Sequence, residues 1–231
     1  MDYFATLSAT WPGLTERRDG WTLRRATGAG NRVSAATREA PDAGPRAAEA
    51  AMRAMGQSPL FMIRPGEDDL DAALAAMGYA VEDPSALLGA SAAELRAEGV
   101  ERGVIRCDAP LARMAEIWAE DGIGPARLAV MERVTGPKLY LLARDGDRPC
   151  GAAFVAAAGG AAMIHALTIA PFARRKGLGA RVTRAAAAWA LGAGADTLAL
   201  AVRDDNAPAR ALYRGLGFAE VARYHYRRAP G

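Results

Sequence analysis

The 231-residue chain has few of the residues that build disulfide frameworks, metal centres or membrane spans. Cysteine occurs twice, at Cys107 and Cys150, which is too few for a disulfide framework and not at metal-ligand spacing. No metal is therefore expected, and a reducing, cytoplasmic setting fits. Lysine is confined to Lys138 and Lys176, so nearly all of the 29 basic side chains are arginine. Those arginines are scattered, and the tryptophans and tyrosines do not interleave with a basic stripe. With a formal charge of only +3, this argues against a nucleic-acid surface and for a small phosphate-bearing ligand. No uncharged apolar run reaches about 18 residues. The alanine-rich stretch Ala185–Ala195 is closed by Arg184 and Asp196, and Met1–Trp11 lacks the basic start and apolar core of a signal peptide. The expectation is a protein with no membrane partner.

The composition, 51% hydrophobic and 24% charged, is that of a folded chain rather than a disordered one. In the second half, Lys138–Ala143 and Gly151–Ala157 read as strands joined by the turn Asp145-Gly146-Asp147. Gly159-Gly160 turns into a third strand, Ala161–Ile169, whose alternation puts Met163, His165, Leu167 and Ile169 on one face. Pro171 stops that strand. After a glycine-containing loop, Ala180–Leu191 reads as a helix ended by Gly192 and Gly194. A short strand spans Thr197–Val202. Asp204-Asp205-Asn206 before Ala207-Pro208 then starts a helix to about Leu216, and Phe218–Arg228 supplies the last strand or strands. Upstream, Val104–Arg106 reads as a strand, and Leu111–Ala119 and Pro125–Arg133 as helices.

The first half shows strands at Trp21–Arg25, Arg32–Thr37 and Leu60–Ile63, and helices near Arg46–Met55 and at Asp68–Met77. Its tail, Met77-Gly78-Tyr79-Ala80, has the grammar of Leu216-Gly217-Phe218-Ala219. The two glycines are 139 positions apart (217 − 78), which points to an ancient duplication. Glycine and acidic residues around Glu98–Gly103 mark the boundary. The expected domains are residues 1–97, smaller and degenerate, and residues 98–231, catalytic.

Between the third strand and the following helix lies Arg174-Arg175-Lys176-Gly177-Leu178-Gly179. A helix N-terminus offers unpaired N–H groups and partial positive charge. Glycine lets the backbone approach an anion, and the cationic side chains add charge-assisted hydrogen bonds. The first half has no such loop, because Gly28-Ala29-Gly30 precedes a reading of strand rather than helix; one ligand per chain is expected.

Three blocks then carry a family resemblance: Ala166-Leu167-Thr168-Ile169-Ala170-Pro171 running into Arg174–Gly179, Asn206-Ala207-Pro208-Ala209-Arg210-Ala211-Leu212-Tyr213, and Gly215-Leu216-Gly217-Phe218. Together, over residues 161–218, they resemble the GNAT superfamily of acyl-CoA N-acyltransferases. The resemblance implies an α/β (α+β) fold with a mixed, mostly antiparallel central sheet flanked by helices. It also implies acetyl-CoA as co-substrate, without a metal. The backbone amides of Arg175, Lys176, Gly177, Leu178, Gly179 and Ala180, with Arg174 and Arg175 nearby, would hold the pyrophosphate. The main chain of Leu167 and Ile169 would meet the pantetheine arm and acyl carbonyl, and Asn206 the pantetheine region. Tyr213 would protonate the leaving thiolate. A helix cap for Asn206 and a core aromatic for Tyr213 are the plainer alternatives.

In that family a neutral amine attacks the thioester directly, in a ternary complex, so the developing oxyanion needs a donor; the amide of Leu167 is the implied one. His165, two residues before Leu167 on the same strand face, has a side chain suited to taking the amine's proton. His165-Ala166-Leu167 is also similar to the histidine-bearing strand of arylalkylamine N-acetyltransferases. Glu116, Glu120 and Glu132 stay open as alternative bases. The implied function is acetylation of a primary amine on a small molecule or peptide. The rival is a catalytically silent acyl-CoA-binding regulatory protein. Monomer and homodimer are both left open.

Overall fold

The computed structural model describes residues 1–26, 28–96 and 102–230. The boundary expected between residues 97 and 98 lies outside the described residues. In chain order the first elements are helix α1 (Tyr3–Thr10), strands β1 (Leu14–Arg18) and β2 (Trp21–Arg25), a 3-10 turn at Asn31–Val33, and strand β3 (Thr37–Arg38). Helix α2 (Pro45–Ala54), strand β4 (Leu60–Ile63), helix α3 (Asp68–Ala76), strand β5 (Ala80–Ser91) and helix α4 (Ala92–Leu95) follow. Next come β6 (Val104–Cys107), α5 (Ala112–Glu120), α6 (Pro125–Glu132), β7 (Lys138–Asp145), β8 (Arg148–Ala158) and β9 (Ala161–Ile169). A 3-10 turn at Pro171–Ala173 leads to α7 (Leu178–Gly192), β10 (Thr197–Arg203), α8 (Ala207–Gly215) and β11 (Ala219–Arg228).

These elements form two compact units. One gathers Met1–Pro12, Leu87–Val202 and Asn206–Val221; the other gathers Gly13–Ala86, Arg203–Asp205 and Ala222–Gly231. Strands β5 and β11 each give their first residues to one unit and their last to the other.

The first unit is a mixed sheet in the order β5-β10-β9-β8-β7-β6. β6 pairs antiparallel with β7 across the two helices α5 and α6, β7, β8 and β9 follow as successive antiparallel hairpins, and β9 pairs with β10 in parallel. A parallel neighbour demands a crossover, and α7 supplies it. Val182, Ala185, Ala186, Ala187 and Ala190 of α7 are buried, so the run of alanines is the face laid on the sheet. Helices α1 and α5 also pack on β8 and β9. Between them and the sheet lie Trp11, Trp118, Tyr140, Phe154 and His165, ring against ring.

The second unit holds the three-stranded sheet β1-β2-β3 and the strands β4-β11-β5. Its core gathers Trp21, Met52, Phe61, Leu70, Leu74 and Tyr79 around α2, α3 and β4. The strand expected at Arg32–Thr37 forms instead as a 3-10 turn at Asn31–Val33, with a single parallel bridge from Ala36 to Phe61 and strand pairing at Thr37–Arg38. The cause is local. Ser34 Oγ donates to the carbonyls of Ala26 and Gly30, and the Ala35 N–H to that of Asn31, so backbone groups that a strand would use laterally are taken by the turn.

Two pairs of helix ends close in the same way. Tyr79 N–H reaches the carbonyl of Leu74 at 3.0 Å, and Phe218 N–H that of Tyr213 at 3.0 Å, each across a left-handed glycine, Gly78 at φ 84° and Gly217 at φ 86°. One helix earlier, Gln57 N–H meets Met52 O and Ala195 N–H meets Ala190 O, both at 2.9 Å, across Gly56 and Gly194 at φ 73° and 76°.

Candidate active site

The parallel pair β9 and β10 is joined for only three residues: Ala161, Ala162 and Met163 face Thr197, Leu198 and Ala199. Both strands continue beyond, β9 to Ile169 and β10 to Arg203, without pairing. An open edge of β9 therefore runs along its C-terminal half. Both crossover helices begin at that same end, α7 after β9 and α8 after β10. This is where an open α/β sheet places its ligands.

A bulge shapes the edge. Ala152 faces Thr168 and Phe154 faces His165, so Ala166 and Leu167 together oppose Ala153. Ala166 takes the left-handed region, at φ 51°. The extra residue shifts the alternation by one, so Thr168, rather than Leu167, shares the face of His165. That corrects the expected alignment of His165 and Leu167 on one face. Beyond the bulge, the Ala170 N–H bonds Cys150 O at 2.7 Å on the β8 side, and alternation turns the amide of Ile169 to the open edge. The Ile169 carbonyl is already engaged there, accepting from Arg174 Nε at 2.9 Å.

The loop from Pro171 to Gly177 rests on a small apolar cushion of Cys150, Ala170, Ala173 and Leu178. Arg175 and Gly177 hold positive φ, 65° and 75°. Gly177 is the residue before α7, so the amides of Leu178, Gly179 and Ala180 have no partner one turn back; the first one-turn bond of the helix is Arg181 N–H to Gly177 O, 3.1 Å. Gly177 is thus fixed by conformation and Gly179 by packing, since a Cβ on Gly179 would stand 3.0 Å from Cδ2 of Leu212 in α8. The side chains of Arg174 and Lys176 are more than half exposed; Arg174 lies 3.9 Å from Asp121, and Lys176 Nζ 2.7 Å from Asp145. Amides, exposed cations and left-handed turns together suit a pyrophosphate.

At the start of α8, Asn206 is exposed and its Oδ1 accepts from Ala209 N–H at 3.1 Å, a helix cap whose amide nitrogen is left for other contacts. Tyr213, two turns on, is 7% exposed, packed edge to face on Phe218, and burial pushes its hydroxyl well above the ordinary tyrosine range. It stays protonated at neutral pH.

His165 is 4% exposed. Its ring stacks on Trp11, centroids 4.9 Å apart, and Nε2 lies 2.9 Å from Thr10 Oγ1. Thr10 spends its own proton on Thr6 O at 2.8 Å, so Nε2 carries the hydrogen of the His165–Thr10 bond. Helix α1 thus covers the ring. Glu116 and Glu120 are exposed and face Arg113 at 2.7 and 3.6 Å; Glu132 is exposed at the end of α6. Cys150 is buried, bonded to Ala143 O.

Two contacts escaped the sequence. The indole N–H of Trp118 donates to Ala166 O at 2.7 Å, and Thr168 Oγ1 donates to Asp121 Oδ2 at 3.0 Å. The positions i and i+3 on α5 signalled a shared face. The bulge that they grip has no sequence mark, because alanine at φ 51° looks like any strand alanine. Among the described residues, no group of three or more His, Cys, Asp and Glu is placed to hold a metal ion, and no helix is long and apolar enough to cross a membrane.

The second unit has a cleft of about 390 Å³ lined by Ile63, Arg64, Asp68, Asp71, Arg223 and His225, among others. His225, on β11 opposite Ile63, bonds Asp71 Oδ1 at 2.7 Å, and Arg227 grips both oxygens of the same carboxylate.

A sheet parted beside a parallel strand pair, with a phosphate-suited helix start at the opening, leaves a slot for an extended ligand that carries a phosphate. Residues 111–218, a little under half of the chain, match the family described as acetyltransferase (GNAT). Over 95 residues it is 40% identical to a mycothiol acetyltransferase of Clavibacter michiganensis, a stretch covering 40% of this chain and 31% of that protein. The chain thus spans under a third of the length of that curated relative. Among solved structures, a GCN5-related N-acetyltransferase from Kribbella flavida superposes with a TM-score of 0.71 at 20% identity, covering 99% of this chain and 93% of the other. A tandem GNAT protein from the clavulanic acid biosynthesis pathway gives 0.59 at 17% identity, covering 80% and 68%. The fold is a GNAT fold along nearly the whole chain.

Proposed function

We propose that the first unit transfers the acetyl group of acetyl-CoA to a primary amine by direct attack in a ternary complex. The observation that carries this is the parting of β9 from β10 after Met163 and Ala199, with the start of α7 at the same end. The pyrophosphate is assigned to the amides of residues 175–180 with Arg174 and Arg175 around them, and the pantetheine arm to the open edge at Leu167 and Ile169, beside Asn206. The Leu167 N–H serves the oxyanion. Tyr213, protonated at neutral pH, is assigned the thiolate's proton. The name of the Clavibacter relative supports a small-molecule acceptor over a peptide. His165, under α1, is the base only if the ring becomes accessible during turnover; Glu116, Glu120 and Glu132 are reached without that step.

The two halves of the sequence, residues 1–97 and 98–231, are proposed to descend from one duplicated GNAT unit in which the first copy lost its phosphate loop. The matched helix ends at Gly56 and Gly194, and at Gly78 and Gly217, support it.

The test is calorimetric titration with acetyl-CoA, followed by thiol release with a panel of amino sugars, polyamines and short peptides. One equivalent bound and amine-dependent thiol release are expected. Binding without release for any amine would favour the silent acyl-CoA-binding reading; no binding would remove both.

A further inference from the structure

Ala166 carries a Cβ yet sits in the left-handed region, a conformation that costs roughly 1–2 kcal/mol. Two bonds from one helix hold the strand there. Trp118, fully buried and edge-on to Tyr140, donates its indole N–H to the Ala166 carbonyl at 2.7 Å. One turn later, at the end of α5, Asp121 accepts the Thr168 hydroxyl at 3.0 Å. Leu167 is bracketed between them.

The carbonyl of Ala166 and the N–H of Leu167 belong to one peptide unit. That unit is planar and trans, so its C=O and N–H point in opposite directions, and a bond that fixes the oxygen fixes the direction of the N–H. A donor on the carbonyl also polarises the unit and strengthens the N–H as a donor in turn. An oxyanion donor has to lie within about 2.7–3.1 Å of the developing charge, and the loss of one such donor costs on the order of 10²–10³ in kcat.

We infer that Trp118 and Asp121 are positioning residues that aim the Leu167 N–H at the acyl carbonyl, through the bulge rather than by touching the substrate. This rests on the acyl-transfer reading above. Trp118 sets the peptide plane, and Asp121 holds the next residue so that the plane cannot turn about Leu167.

The variants are Trp118→Phe, which keeps an aromatic ring against Tyr140 but loses the N–H, Thr168→Val, and the pair Asp121→Asn and Asp121→Leu. Four quantities are measured: kcat and KM for acetyl-CoA, the calorimetric Kd for CoA, and the infrared carbonyl stretch of bound acetyl-CoA labelled with carbon-13 at the acetyl carbonyl. Trp118→Phe is expected to lower kcat about 10- to 100-fold, somewhat less than outright loss of the donor. KM and Kd should stay within about twofold, and the carbonyl stretch should move toward its value in free acetyl-CoA. Asp121→Asn, whose amide oxygen still accepts from Thr168, should stay near wild type while Asp121→Leu falls with Trp118→Phe. A carbonyl stretch unmoved in Trp118→Phe overturns the inference, as does a fall in kcat matched by an equal loss of CoA affinity. If Trp118→Phe does not fold, Thr168→Val decides by the same two readouts. Wild-type protein that binds no acetyl-CoA removes the acyl-transfer reading first. Wild-type protein that binds it but acetylates no amine removes the acceptor assignment, while the infrared comparison still decides the aim of the N–H.

Discussion

His165 and Thr10 meet at 2.9 Å in a chain that runs from imidazole to hydroxyl to the Thr6 carbonyl, so the imidazole helps to fasten helix α1 to the sheet. His165→Gln should therefore lower stability by about 1–3 kcal/mol, through the lost bond and the lost stack on Trp11. Denaturant unfolding measures it. The pH profile of kcat/KM separates the catalytic role: an acid limb that persists unchanged in the variant would take His165 out of proton transfer.

Charge reversal at the loop, Arg174→Glu with Arg175→Glu, should raise the KM for acetyl-CoA by tenfold or more, since each lost charge-assisted bond is worth about 1.5–3 kcal/mol at best and both side chains are largely solvated. The melting temperature should move little, because Arg175 is exposed and the contacts of Arg174, a bond to Ile169 O and a 3.9 Å pairing with Asp121, are exposed too. An unchanged KM would place the pyrophosphate elsewhere.

The second unit should lose stability in acid for a traceable reason. Hydrogen bonds from Arg227, opposed by partial burial and aided by His225, hold the Asp71 carboxyl below the usual aspartate range; Asp69, gripped by Arg38 through two bonds, is held at about 2. Both folded values are depressed, so the contribution is present above the ordinary aspartate pKa of about 3.9 and fades as pH falls through the lowered values. Asp71→Asn should cost about 1–2 kcal/mol at pH 7 and flatten the fall of melting temperature between about pH 4 and pH 2. An Asp71→Asn protein with the wild-type acid slope would contradict this.

A chain begun at residue 98 should not fold to a stable acyltransferase. It lacks α1, which covers His165, and the end of β5, which stands beside β10 in the first unit. Soluble expression of residues 98–231 with wild-type acetyl-CoA affinity would refute this.

The hairpin Lys138–Ala158, the Ala-rich helix and the glycine loop were legible because their signals are local: Asp145-Gly146-Asp147 turns, alanines at helical spacing, glycine where φ is positive. The family blocks carried the rest of residues 161–218. The bulge was not legible, because its cause is the indole of Trp118, 48 positions away in sequence. Helix α1 was missed too: its residues are mixed in character, and its clearest signal is Asp2, which caps Phe4 and Ala5. The Arg32–Thr37 reading failed where Ser34 bonded its own neighbourhood, a competition that alternation does not register.

The first unit contains both the first twelve residues and a segment that ends at Val221, while the second waits for Ala222 onward. Proteins commonly fold domain by domain as they leave the ribosome, the N-terminal domain first. This chain is denied that order. Neither unit can close until the segments on either side of Val221 and Ala222 have been synthesised, so Trp11 in the first and Trp21 in the second wait until then for the last of their unit.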